Sequence, residues 1–181
     1  MNKILSALAF AVLFPFASLA TNSHTEPADT TKAVKIAKKA KKLLDSGKPE
    51  KAEKAKDLYE KAADMGLKSA QRWMADYYWN QTPPMTKTAM WWEDALAQQG
   101  DTASQYLLGL IYWGMGSFGV ETDSVKAYTY MKMAAEQDMP EAQYYVGLCF
   151  LNGWVVEQNQ TAGFNWIKKP LTRTLRKRKT N

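Results

Sequence analysis

One ten-residue pattern occurs three times in this chain, and it constrains the fold more than any other feature. The copies occupy residues 62–71, 96–105 and 134–143. Their turn residues are Gly66, Gly100 and Asp138, which follow one another at offsets of 34 and 38 residues. A period in this range is typical of stacked helical repeats. Because a single repeat cannot bury its apolar face alone, the units must stack, and such stacks usually serve as binding surfaces.

The third copy indicates how each unit folds into two antiparallel helices. Asp123 is suited to cap a helix start, because its side chain can accept a free backbone N–H. The residues that follow at spacings of three and four, and that we expect on one face, are Lys126, Ala127, Tyr130, Met133 and Ala134. Asp138 and Met139 form the turn, and Pro140 fits the first turn of the next helix.

Small residues recur where these helices are expected to touch. Gly147 costs a helix about 1 kcal/mol relative to alanine, so we expect it to allow close contact with a neighbouring helix. The other units carry small residues at comparable positions, including Ala62, Ala75, Ala97 and Gly109.

These positions resemble the Sel-1-like repeat, a relative of the tetratricopeptide repeat. The residues that match its pattern are Ser104, Leu108, Gly109, Tyr112, Gly116, Val120, Asp123, Lys126, Ala127, Tyr130, Ala134 and Ala135. The resemblance spans about residues 50–169. It implies an all-α fold, a right-handed α/α solenoid of about three to four helix-turn-helix repeats, which we assign to residues 31–169. It also implies protein–protein contact, often in the bacterial envelope or in secreted proteins.

The N-terminus has the features of an export signal. Lys3 precedes an apolar run over residues 4–16, and small residues before Thr21 favour cleavage there. We therefore expect residues 1–20 to be a signal peptide, residues 21–30 a linker, and the mature protein periplasmic or secreted. No stretch reaches the length of a transmembrane segment.

Residues 31–47 are expected to form an extra, lysine-rich helix. It could cap the stack with its polar side outward, or contact an anionic surface such as lipid headgroups. The acidic residues that follow dilute the charge and favour the cap.

The C-terminus departs from the repeat. Pro170 falls where the third unit has Ala134, and proline inside a helix would end it early. We expect residues 170–181 to be a basic, disordered tail. It is either an interaction tail or a truncated or frame-shifted end, and the abrupt break favours the second. Residues 21–167 contain 16 basic and 18 acidic residues, so no nucleic-acid binding is expected from the folded body.

The helix that follows each repeated turn carries a row of aromatic and aliphatic residues on the face expected to be concave. Aromatic residues with arginine are typical interface anchors. The predicted partner-binding residues are Arg72, Trp73, Asp76, Trp79, Tyr106, Leu110, Trp113, Tyr144 and Leu148. Two alternatives remain: Trp73 and the neighbouring Leu107 and Tyr145 could be ordinary inter-repeat core, or the patch could be covered by self-association.

No catalytic constellation is recognisable in the sequence. The single histidine, His24, lies in the linker, and Cys149 has no histidine partner and is expected to be a small buried residue. No cysteine–histidine cluster has metal-ligand spacing, and no cofactor is predicted. Glu93 and Asp94 adjoin, so we expect a solvated face rather than an acid–base pair.

The predicted function is therefore an exported scaffold for a protein or peptide partner. The alternative is a cell-wall or β-lactam-binding protein with weak hydrolase activity, which some exported relatives of the repeat suggest. Those relatives carry a disulfide in each repeat, and this chain has one cysteine.

Overall fold

The structure, a computed structural model, describes residues 27–116 and 118–168. The helices are α1 (Pro27–Leu44), α2 (Ala52–Asp64), α3 (Lys68–Trp79), α4 (Thr86–Gln98), α5 (Thr102–Tyr112), α6 (Ser124–Glu136) and α7 (Pro140–Asn152), with a 3₁₀ turn at Pro49–Lys51. Residues 160–168 are helical again and are called α8. Contacts run almost entirely between consecutive helices. This arrangement confirms the predicted all-α repeat fold, since each unit packs mainly on its neighbours in sequence.

Helix starts follow the predicted capping. The Asp123 side chain accepts the backbone N–H of Lys126 at 3.0 Å, and Pro140 occupies the first turn of α7. Asp101 caps α5 in the same manner, through the N–H of Ser104 at 2.9 Å. A side-chain cap of this kind contributes about 1 kcal/mol. These two caps fix where α5 and α6 begin.

The repeated turn has the same backbone conformation in all three copies. Gly66, Gly100 and Asp138 all adopt positive φ, at 81°, 80° and 65°. Glycine adopts this region without strain, and aspartate is among the residues that tolerate it best. The repeated pattern therefore forms a turn between two antiparallel helices, and one residue of that turn has a left-handed backbone conformation.

Alanine and glycine form the contacts between helices, as predicted. Ala62, Ala97 and Ala134 have no more than 1% of their surface exposed. At Gly147, an added Cβ would lie 2.5 Å from Cγ1 of Ile167 and 2.9 Å from the carbonyl oxygen of Gly163. The two glycines thus bring α7 and α8 into backbone contact.

The buried face of α6 differs in detail from the prediction. Lys126 is exposed and Met133 only partly buried, whereas Met131 is 1% exposed. The buried positions are Ala127, Met131, Ala134 and Ala135. The prediction failed because α6 is packed between α5 and α7. Met131 fills the space beside Gly109 of α5, where an added Cβ would lie 2.8 Å from Cγ of Met131.

Three buried glutamines, to which the sequence analysis gave no role, tie the two helices at each repeated turn. Each amide nitrogen donates to a backbone carbonyl eight residues earlier, at 2.9–3.1 Å. The donors are Gln71, Gln105 and Gln143, and the acceptors are Ala63, Ala97 and Ala135. These bonds satisfy carbonyls that a helix end leaves without an intrahelical partner.

The glutamines also connect successive repeats. Gln99 donates to the side-chain oxygen of Gln71 at 2.7 Å, and Gln137 donates to that of Gln105, also at 2.7 Å. The same polar link is therefore made twice along the stack, between one turn and the next.

The N-terminal helix is longer at its start than predicted. It begins at Pro27 and ends at Leu44, rather than spanning residues 31–47. Proline suits a first helical position, because its missing N–H needs no partner there. The proposed signal peptide at 1–20, residues 21–26 of the linker, and the tail at 170–181 lie outside the described residues.

Candidate functional site

The residues predicted to bind a partner separate into two groups in the structure. Those of α3 are mostly engaged within the fold, whereas those of α5 and α7 meet at a partly exposed aromatic surface. The two groups therefore differ in how much of their side chains is accessible to a ligand.

The first group centres on an ion pair between α3 and α4. Nη1 of Arg72 donates to both carboxylate oxygens of Glu93 at 3.0 Å. Its Nη2 donates to Asp101 at 2.8 Å and to the hydroxyl of Ser104 at 2.7 Å. Trp79 donates its indole N–H to Glu93 at 3.2 Å. The polar groups of Arg72 and Trp79 therefore hold two repeats together.

This pair corrects the expected solvated face at residues 93 and 94. Glu93 is only 1% exposed, and Asp94 accepts a hydrogen bond from the Tyr130 hydroxyl. The two carboxylates do point apart, as their adjacency requires. Each nevertheless finds a partner from another helix, and such partners offset the cost of burying a carboxylate.

The same network lowers the pKa of Asp101. Burial alone would raise its pKa, but hydrogen bonds from the backbone and hydroxyl of Ser104, together with the charge of Arg72, hold that pKa below its usual value. Asp101 is therefore ionised at neutral pH and serves both as a helix cap and as a second anion for Arg72.

The remaining predicted residues of α3 are divided between core and solvent. Trp73 is partly buried and stacks on Tyr59 with ring centroids 4.3 Å apart. Asp76 is exposed on α3. Trp79, besides its bond to Glu93, meets Phe118 edge to face at 5.5 Å. These residues do not form a continuous open surface.

The second group forms a cluster that we call the aromatic face, made of Tyr106, Trp113, Tyr144, Tyr145 and Trp154. Tyr145 is its centre, with ring centroids 6.4 Å from Tyr106, 6.5 Å from Trp113 and 6.0 Å from Tyr144. Trp113 also lies 6.0 Å from Trp154. Tyr144 is 50% exposed and Trp154 47%, so the face is open to solvent at both ends of the cluster.

An open depression of about 490 Å³ lies on this face. Its lining consists of Tyr106, Pro140, Glu141, Tyr144 and Tyr145. Burial, followed by the nearby Tyr145 and the charge of Glu141, raises the pKa of Tyr106. The tyrosine hydroxyl is thus neutral at ordinary pH and can donate or accept a hydrogen bond.

The other two predicted residues, Leu110 and Leu148, are partly buried. Leu110 packs with Tyr106 against the core that contains Met131 and Val146. Leu148 is partly buried on α7. The sequence analysis placed Tyr145 among core alternatives and did not name Trp154, which lies in the turn after α7. An aromatic residue beside Gly153 in that turn was the available signal.

Cys149 is buried as predicted, with 1% of its surface exposed. Burial raises the pKa of its thiol to about 11, so the reactive thiolate is scarce at neutral pH. Across residues 27–116 and 118–168, no three His, Cys, Asp or Glu side chains converge to hold a metal ion. Within the same residues, no helix is both long and apolar enough to cross a bilayer.

Helical hairpins of one pattern, joined by left-handed turns and packed in sequence order, define an α/α solenoid. The Sel1 repeat model matches residues 44–67, 102–139 and 140–169, about half of the chain. The chain belongs to the Sel1 repeat family, which confirms the resemblance. Proteins of this family generally mediate protein–protein interactions and are typically non-catalytic.

Two solved structures share the fold. A Sel1 repeat protein from Oxalobacter formigenes is 21% identical with a TM-score of 0.56, and the match covers 81% of this chain and 60% of that one. A protective antigen of uropathogenic Escherichia coli strains, described as displaying an SLR fold, is 24% identical with a TM-score of 0.52, and the match covers 79% and 31%. This chain thus spans less than two thirds of the length of either protein. No curated protein matches the sequence.

Proposed function

We propose that this protein is an exported scaffold that binds a protein or peptide partner on its aromatic face. The observation that carries the proposal is the contiguity of five aromatic rings, with Tyr145 at the centre and with Tyr144 and Trp154 about half exposed. Aromatic side chains supply large contact area with few rotatable bonds, and they dominate interface energetics.

The chemistry of the face favours a ligand with apolar groups and hydrogen-bonding groups. The depression offers aromatic rings, tyrosine hydroxyls and one carboxylate, from Glu141. An extended peptide could place apolar side chains on Tyr144 and Tyr145 while its backbone bonds to a hydroxyl. Export of the protein rests on the N-terminal signal sequence and is part of the same proposal.

The test is capture of partners from the cell envelope with the purified protein and with a Tyr144→Ala/Trp154→Ala variant. Both substitutions fall on exposed side chains, so the variant should keep its helical circular dichroism. The matched control is Trp91→Ala, which removes a tryptophan that is 48% exposed on α4, outside the aromatic face. We expect a partner that the wild type and the control retain and the double variant loses. Retention by all three proteins would contradict binding at this face.

The alternative hydrolase is tested with a chromogenic β-lactam. Sustained turnover by the pure protein would show that scaffolding is an incomplete account. No observation in the structure favours it, and we do not propose it as the function.

A further inference from the structure

A second recess lies among α1, α2 and α3, away from the aromatic face. Its volume is about 320 Å³, at the lower end of the range of small-ligand pockets. Its lining consists of Val34, Ala37, Lys38, Lys41, Tyr59, Leu67, Ser69 and Trp73. The four α1 residues follow the spacing of a single helix face. One side of α1 therefore forms a complete wall of the recess.

The floor of the recess is aromatic and well ordered by stacking. Tyr59 and Trp73 lie almost parallel, with an interplanar angle of 12° and centroids 4.3 Å apart. Trp73 stacks in turn on Tyr77 at 5.3 Å. An apolar side chain entering the recess would thus meet a rigid surface, which lowers the entropic cost of binding.

The rim of the recess carries unpaired positive charge. Lys38 and Lys41 are exposed, and within residues 27–116 and 118–168 neither side chain forms an ion pair or a hydrogen bond. Six lysines lie between residues 32 and 42, and the one acidic residue of α1 is Asp29. Asp45 just beyond α1 is the acidic group whose charge reaches Tyr59.

We propose that this recess binds an acidic peptide segment. An apolar side chain of the segment packs on Tyr59 and Trp73, and flanking carboxylates pair with Lys38 and Lys41. An acidic segment is favoured because the recess combines an apolar floor with a cationic rim, and charge complementarity sets specificity. The recess is formed by α1, α2 and α3, and the proposal is independent of binding at the aromatic face.

A membrane surface fits the recess less well, although the lysines would attract anionic headgroups. Helices that lie on membranes project their apolar side chains outward into the lipid. Here the partly buried Tyr59 and Trp73 line a recess, which suits a single peptide side chain better than a flat bilayer surface.

The test uses the purified protein and a fluorescein-labelled peptide, Gly-Glu-Phe-Glu-Leu-Glu-Gly, with binding followed by fluorescence anisotropy. We expect saturable binding that is at least about tenfold weaker when glutamine replaces each glutamate, because charge-assisted bonds are lost. Serine in place of phenylalanine and leucine should weaken it similarly, because the apolar anchor is lost. Failure of the acidic peptide to bind would overturn the proposal.

Two charge-reversed variants separate the recess from general attraction to α1. Lys38→Glu/Lys41→Glu alters the rim, whereas Lys39→Glu/Lys42→Glu makes the same charge change on a different side of the helix, about 100° away for adjacent residues. We expect the first to lose affinity at least about tenfold and the second less than about threefold. Equal losses would overturn the proposal. The Tyr144→Ala/Trp154→Ala variant should bind this peptide normally, which separates a failure here from a failure of the proposed function.

The same variants also test the lipid alternative. Vesicles of phosphatidylcholine and phosphatidylserine should bind weakly and lose affinity equally in both charge-reversed proteins. Tighter binding to these vesicles than to the peptide would overturn the proposal in favour of a lipid surface.

Discussion

Nη1 of Arg72 lies 3.0 Å from both carboxylate oxygens of Glu93, and the carboxylate is only 1% exposed. The pair joins α3 of one repeat to α4 of the next, and Nη2 of the same arginine reaches Asp101, which caps α5 of that next repeat, at 2.8 Å. A single guanidinium therefore fixes one repeat to both helices of its successor. Removing one partner of such a pair leaves the other as an uncompensated buried charge.

We predict that Arg72→Ala lowers the free energy of unfolding by about 2–4 kcal/mol, because Glu93 would be stranded. Urea unfolding followed by circular dichroism measures it. The control is Lys132→Ala, which removes an exposed pair with Glu136 at 3.9 Å and should cost less than about 0.5 kcal/mol. Equal losses in the two variants would show that the Arg72 network does not stabilise the stack.

Gln105→Ala should destabilise the protein by about 1–3 kcal/mol, since it removes two side-chain hydrogen bonds, one to the carbonyl of Ala97 and one from the amide of Gln137. The readout is again the urea midpoint. Gln98→Ala, at an exposed position whose bond to Asp94 is 3.4 Å long, serves as the control and should be nearly neutral. A Gln105 variant as stable as this control would rule out the proposed polar link between repeats.

Two glycines should respond differently to alanine. At Gly147 the new Cβ would meet the backbone oxygen of Gly163 at 2.9 Å and Ile167 at 2.5 Å, so we expect a loss of about 1–3 kcal/mol from overpacking. At Gly109 it would meet only side-chain atoms of the buried Met131, with Cγ at 2.8 Å, and the helix preference of alanine, about 1 kcal/mol, should offset part of the strain. Thermal unfolding of the two variants tests the contrast, which would fail if Gly109→Ala were the more damaging change.

The lowered pKa of Asp101 predicts a dependence of stability on pH. A carboxyl whose pKa is lower in the folded state stabilises the fold above its unfolded value, near 3.8, and loses that contribution as pH falls through the folded pKa. Asp101→Asn keeps a capping side chain but removes the charge. The stability difference between wild type and variant should be less than about 1 kcal/mol at neutral pH, because the site is partly exposed. This difference should shrink as the pH falls below 3.8. A difference that grows on acidification would contradict the assignment.

The turns and the small-residue contacts could be predicted from the sequence because they depend on local chemistry. Gly66, Gly100 and Asp138 recur at one position of one pattern, and each satisfies the same backbone requirement. Asp123 and Pro140 act within the first turns of their own helices. Turn and capping signals such as these lie within a few residues of sequence, so their prediction requires no knowledge of tertiary contacts.

The ion pair and the aromatic face could be predicted only in part, because both depend on residues far apart in the chain. Arg72 and Glu93 are separated by 21 residues and belong to different helices. The sequence shows both charges but not their pairing, so Glu93 was assigned to solvent. Trp154 lies in an irregular turn, where no periodicity indicates the direction of its side chain.

The most direct test of the scaffold proposal is site-specific photo-crosslinking at the aromatic face in living cells. A photoreactive phenylalanine analogue is placed at Tyr144, and the same analogue at Trp91 is the matched exposed control. The account predicts a discrete covalent adduct with another protein from position 144 and none from position 91. Adducts at position 91 with none at position 144 would contradict the account, because the partner would then lie on α4 and not on the aromatic face.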